Sequence, residues 1–134
     1  MAGIYIHIPF CKQACYYCNF HFSTSFERYR SDMITAICKE LEMKKFVFNE
    51  VNINTVYFGG GTPSLLENNE LGKILSVIHK NYQTSFVEEI TIEANPEDIN
   101  LNKLNYWISK GVNRVSLGIQ SFFDEDLKQM NRVH

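Results

Sequence analysis

Apolar residues along the chain switch between two spacings. Residues 3–8 (GIYIHI) form a short run dense in β-branched and aromatic side chains, the composition of a strand. From Ser25 to about Lys45 the spacing becomes helical. Tyr29, Met33, Ile37 and Leu41 recur on one face, and Ile34 and Cys38 widen that stripe. Residues 55–58 (TVYF) return to a strand pattern and run into Gly59-Gly60-Gly61-Thr62-Pro63. Leu71, Ile74, Leu75 and Ile78 predict a second helix, and residues 89–94 (EITIEA) a third strand closed by Asn95-Pro96. Asn100 is placed to cap a third helix carrying Leu101, Leu104, Trp107 and Ile108, with Gly111 ending it. Residues 114–119 (RVSLGI) read as a fourth strand, and a helical pattern resumes at Asp124.

The order is βαβαβαβ, which implies an α/β fold with a parallel sheet. Right-handed crossovers bring the C-terminal ends of all strands to one side. Four loops follow those ends: the cysteine loop, the glycine-rich turn, Asn95-Pro96 and Gln120-Ser121. They are expected to share one face, where α/β barrels hold their sites.

Composition narrows the class. The 134 residues suit one domain, and 45% hydrophobic with 13% aromatic residues can supply a core. A net charge of −2, from 13 basic and 15 acidic residues, gives no footprint for nucleic acid. No basic cluster flanks an apolar helix, which argues against a membrane-surface role. No apolar stretch nears the ~20 residues needed to span a bilayer. The first residues lack a charged n-region, and Pro9 interrupts their apolar run, so no signal peptide is read. A cytoplasmic protein is expected.

Three of the four cysteines fall within eight residues, Cys11, Cys15 and Cys18, spaced C-x3-C-x2-C. In a reducing compartment such clustering points to metal or redox chemistry. Thiolates are soft ligands suited to iron–sulfur clusters. Three of them leave one iron of a four-iron cubane open to a substrate. Two other readings stay open. Cys15-Tyr16-Tyr17-Cys18 has the spacing of a thioredoxin-like dithiol, which leaves Cys11 unexplained. With His7 or His21 the three cysteines also fit a Cys3His zinc site, as in a small zinc-stabilised α/β interaction domain. Cys38 lies on a helix stripe and reads as core.

Singly, the remaining features are weak. The glycine turn lacks the lysine of a P-loop, and Ser64 stands where a dinucleotide fingerprint needs its third glycine. Glu93 ends a strand, on the face of Thr91 and Glu89 and opposite Ile90 and Ile92. Gln120 and Arg132 read alone as surface residues. His7 reads as a packed strand histidine, His79 as a solvent-side helix residue, and His134 as a chain-end residue.

Together the pieces resemble the radical S-adenosylmethionine (SAM) superfamily. Within it they are similar to the oxygen-independent coproporphyrinogen oxidase-like family. The matching residues are 5–11 (YIHIPFC), the C-x3-C-x2-C loop, 59–64 (GGGTPS), 93–96 (EANP), 116–122 (SLGIQSF) and 131–134 (NRVH). The resemblance implies the N-terminal portion of a partial (β/α) TIM barrel, with about four βα units over residues 1–134. It implies a [4Fe–4S] cluster on Cys11, Cys15 and Cys18, and SAM on the open iron. One electron from the reduced cluster would cleave SAM to methionine and a 5′-deoxyadenosyl radical. By motif position, Tyr17 would lie by the adenine. Tyr5, Gly60, Gly61, Thr62 and Glu93 would line the SAM pocket, and Gln120 and Arg132 would also contact SAM. The cluster needs a reductant, and the implied small-molecule partners are SAM and haem or a porphyrinogen.

One departure bears on the subgroup. In coproporphyrinogen dehydrogenases of the family the third cysteine is closely followed by Gly-Cys, whereas here Asn19-Phe20 follows. That favours the haem-chaperone subgroup over the oxidative decarboxylases. The family's barrel has more strands and a further C-terminal region, so the resemblance covers an N-terminal part. Haem-binding residues are expected beyond residue 134. A four-stranded piece leaves an open sheet edge, so alone it is expected to be marginally soluble or oligomeric.

Overall fold

The computed structural model describes residues 2–48 and 50–132. Four strands, β1 (Ala2–Ile8), β2 (Ile53–Gly60), β3 (Glu89–Ala94) and β4 (Arg114–Leu117), alternate with helices α1 (Arg30–Lys44), α2 (Asn68–Asn81), α3 (Leu101–Ser109) and α4 (Asp124–Gln129). They form one sheet in the order β1-β2-β3-β4, every pair parallel.

Register gives the sheet two chemically different faces. Ile4 pairs with Val56 and Ile6 with Phe58, and these continue onto Ile90 and Ile92. Their side chains are buried in one core with Ile34, Cys38 and Leu41 of α1, with Leu71, Ile74, Leu75 and Ile78 of α2, and with Trp107 of α3. Each such aliphatic side chain contributes ~1.5–3 kcal/mol when removed from water. The other face carries Tyr5, His7, Tyr57, Thr91, Glu93 and Ser116, and it is this face that borders the site. No described helix is long and apolar enough to cross a membrane.

Several elements differ from expectation. The helix expected from Ser25 begins at Arg30, after a 3₁₀ turn at Phe26–Arg28. Phe26 is drawn into the core, where its ring stacks on Phe10 at 4.7 Å, and this keeps residues 26–28 off the helix axis. The buried seam of α1 is Ile34, Cys38 and Leu41, with Met33 and Ile37 at its margin. β2 runs through Gly59 and Gly60, which pair with His7 and Ile8, so the first two glycines are strand and not turn. β4 is shorter than expected, and Gln120 turns the chain away with φ 66. α3 buries Trp107 and leaves Leu101 and Ile108 exposed, because the latter two lie about 100° round the helix from the face that meets α2. Its expected ends are present: Lys103 N–H donates to Asn100 Oδ1 at 2.9 Å, and Gly111 adopts φ 86. His134 lies outside the described residues.

Candidate functional site

The loops after the four strands converge on a cavity of ≈ 380 Å³. Cys11, Cys15 and Cys18 line it, as do Tyr17, Gly60, Gly61, Thr62, Glu93, Gln120 and Arg132. Of the residues singled out by motif, Tyr5 does not line it. Strand alternation places Tyr5 on the polar sheet face, short of the strand end. It is 57% exposed there, stacked on Tyr57 at 6.0 Å, with its hydroxyl 3.2 Å from His7 Nδ1.

The cysteine loop is tied down at both ends. Ser23 N–H donates to Pro9 O (2.8 Å) and Cys11 N–H to Ser23 O (3.1 Å), so the returning chain pairs with the exit of β1. Cys18 N–H donates to Cys15 O at 3.1 Å, closing the second half of the loop. Gly61 packs beneath it, its N–H donating to Ile8 O at 2.9 Å. A Cβ there would stand 2.7 Å from Phe10 O and 3.0 Å from Cys11 Sγ, so the space belongs to the loop and the thiol.

Electrostatics around the thiols are mixed. Burial pushes the Cys11 thiol up from its ordinary value; the Thr62 hydroxyl, 3.5 Å from Sγ, works the other way, while Cys18 and Cys15 add to the rise and Arg132 opposes it. Arg132 stands over the loop, with Nη1 directed at Cys15 Sγ (3.8 Å) and Tyr17 Oη (3.2 Å). Its Nη2 donates to Asn95 Oδ1 and to Gly118 O, both at 2.9 Å. One guanidinium therefore links the loops after β1, β3 and β4. Burial raises the Tyr17 phenol despite this neighbouring cation. Across the cavity the Glu93 carboxylate accepts from Tyr57 Oη at 2.7 Å and from Gly60 N–H at 3.2 Å.

Several residues at the site carried no signal of their own in the sequence. Lys12 pairs with Asp98, whose side chain is 3% exposed and also accepts from Ser64 Oγ at 2.8 Å. Tyr57 and Gln13 belong here too, as does Asn131, previously only part of a matching segment. Strand alternation could have placed Tyr57 on the face of Glu93. The other contacts span 86 to 118 residues and have no local pattern.

The donor set suits an iron–sulfur cluster. Among the described residues, no three His, Cys, Asp or Glu side chains are placed to share one metal ion. Three soft thiolates around a larger cavity match a polynuclear group. Among the described residues, no histidine lines this cavity to complete a Cys3His zinc arrangement. His7 Nε2 faces His21 O at 2.9 Å and its Nδ1 faces Tyr5 Oη, so both ring nitrogens are engaged elsewhere.

A parallel βα sheet with a three-cysteine loop after its first strand defines a class of partial-barrel proteins built around an iron–sulfur cofactor. The chain belongs to the radical SAM superfamily, whose family model matches residues 5–134. Membership implies a [4Fe–4S] cluster and SAM as cofactors. The chain is 39% identical over 133 residues to the haem chaperone HemW of Buchnera aphidicola subsp. Acyrthosiphon pisum (strain APS), covering 98% of this chain and 35% of that protein. It is 34% identical over 135 residues to HemW of Bacillus subtilis (strain 168), covering 100% of this chain and 36% of that protein. The solved structure of coproporphyrinogen III oxidase (HemN) from Escherichia coli, a radical SAM enzyme, superposes with a TM-score of 0.90 at 29% identity, over 98% of this chain and 31% of that one. The four parallel strands therefore match the N-terminal part of that TIM-barrel-like fold. The chain spans about a third of the length of the relatives it matches.

Proposed function

We propose that this chain is the cofactor-binding part of a HemW-type haem chaperone. The observation that carries the reading is the convergence of Cys11, Cys15 and Cys18 with Glu93, Gly60, Gly61, Thr62, Gln120 and Arg132 on one cavity. Cys11, Cys15 and Cys18 would each hold one iron. When bound, the cluster supplies one electron, drawn from a reductant, to the sulfonium of SAM.

The chain's own residues orient and shield. Gly60 and Gly61 line the cavity, and their missing side chains leave room for the His7 ring and for the cysteine loop. Glu93 presents a carboxylate suited to a ligand ammonium or hydroxyl, held from β2 by Tyr57 and Gly60. Tyr17 offers a ring to the adenine. Arg132 joins three loops at the cavity wall, while Gln120 lines the wall beyond β4. Haem is the proposed cargo. Asn19-Phe20 after the third cysteine, together with the identity to two HemW proteins, supports a chaperone over a decarboxylase.

The test uses the intact protein reconstituted with iron and sulfide. The wild type is expected to show cluster absorbance and to bind SAM, and Cys15→Ala to lose both. Unchanged absorbance and SAM binding in Cys15→Ala would overturn the cluster assignment. Stoichiometric haem binding without decarboxylation of coproporphyrinogen supports the chaperone reading, whereas decarboxylation makes the protein an oxidase.

A further inference from the structure

We infer that Asn131 is a positioning residue that clasps the cysteine loop, holding Cys11, Cys15 and Cys18 in the arrangement that receives the cluster. The cluster part of the inference rests on the function proposed above. Asn131 follows α4 with φ 57, a left-handed conformation that asparagine tolerates better than most residues. That conformation turns its amide onto the loop. Nδ2 donates to Ala14 O at 2.7 Å, and Oδ1 accepts from Gln13 Nε2. The preceding carbonyl, Met130 O, accepts from Tyr16 N–H at 3.1 Å. These contacts grip Gln13, Ala14 and Tyr16, three of the five residues that lie between the cysteines.

The clasp has a firm base. Asn131 N–H donates to Lys128 O (3.1 Å) and Arg132 N–H to Leu127 O (2.9 Å), closing the end of α4. Leu127 is buried. A loop with three ligands loses conformational entropy whenever it is fixed around a guest. Contacts that order it beforehand reduce what remains to be lost on cluster uptake and slow its release. Both amide atoms of Asn131 are directed to that purpose.

Asn131→Gly removes both side-chain contacts and keeps the backbone unstrained, since glycine adopts positive φ freely. Asn131→Asp keeps the acceptor for Gln13 and loses the donor to Ala14 O. Both variants are made in the intact protein. In the cluster-free form, hydrogen exchange at the Tyr16 amide is expected to speed up about tenfold in Asn131→Gly and less in Asn131→Asp. In the reconstituted form, a chelator is expected to strip iron about tenfold faster from Asn131→Gly. A merely structural residue would lower the melting temperature and leave both readouts at the wild-type value. Wild-type Tyr16 exchange in both variants overturns the clasp. A wild-type protein that takes up no cluster refutes the proposed function instead, and the Tyr16 exchange still decides the clasp.

Discussion

The Tyr57 hydroxyl donates to Glu93 Oε1 at 2.7 Å, while Gly60 N–H reaches Oε2 at 3.2 Å, so β2 holds both oxygens of a carboxylate carried by β3. The parallel register makes this possible, since Tyr57 pairs with Thr91, two residues before Glu93 on the same face. The hydrogen bond to Glu93, followed by burial, raises the Tyr57 phenol above its ordinary value of 10.0, so the donor persists through neutral pH. Tyr57→Phe removes one bond to a charged acceptor, worth ~1.5–3 kcal/mol. SAM affinity, measured by calorimetry on the reconstituted intact protein, is expected to fall about tenfold or more, with cluster absorbance unchanged. Wild-type affinity would show that Glu93 does not depend on Tyr57 for its orientation.

Lys12 and Asp98 are unequal partners. The Lys12 side chain is 44% exposed and can return to water, whereas that of Asp98 is 3% exposed and cannot. Lys12→Met leaves a buried carboxylate with Ser64 as a remaining donor. Such a change is expected to cost ~1–3 kcal/mol of stability, the penalty of a buried acceptor that loses a partner. Asp98→Asn removes the buried charge and can still accept from Ser64, so it is expected to cost less. Urea denaturation of the two variants checks this order, and equal losses would contradict it.

Arg30 binds Glu70 through two parallel bonds, Nε to Oε1 at 2.8 Å and Nη2 to Oε2 at 2.7 Å, and so ties α1 to α2. Burial works to raise the Glu70 carboxyl, but Arg30 and the Glu67 N–H outweigh it, and the net shift is downward from 4.5. The folded state therefore binds fewer protons than the unfolded chain as pH falls below that ordinary value. The pair's contribution is full above it and is lost as pH drops through the lowered folded value. Acid titration of unfolding stability is expected to show this loss. Glu70→Gln should flatten that limb and cost ~1–2 kcal/mol near neutrality.

Gly61 has no room for a methyl group, because the contacts at 2.7 and 3.0 Å are to the backbone oxygens of Phe10 and Ile8 as well as to Cys11 Sγ. Gly61→Ala is expected to push the cysteine loop outward, with a cost of ~1–3 kcal/mol from overpacking. Iron content after reconstitution should fall more steeply than secondary structure measured by circular dichroism. Full iron content in this variant would show that the loop can yield.

Much of this molecule is legible from local pattern. The order of strands and helices follows from hydrophobic period, the ends of α3 from Asn100 and Gly111, and the ligand chemistry from three cysteines within eight residues. These are short-range properties, set by backbone geometry and side-chain type over a few residues. What required the tertiary structure was long-range. Phe26 leaves the helix pattern because Phe10 offers it a buried stacking partner. Tyr5 matches the family motif and shares the face of Glu93, yet it sits short of the strand end, stacked on Tyr57 and away from the cavity wall. Lys12 meets Asp98, and Asn131 meets the cysteine loop, only because parallel crossovers stack the strand ends on one side. By itself the sequence determined which chemistry the chain carries. The fold decided which side chains hold that chemistry in place, because hydrogen bonds between residues a hundred positions apart leave no periodic trace.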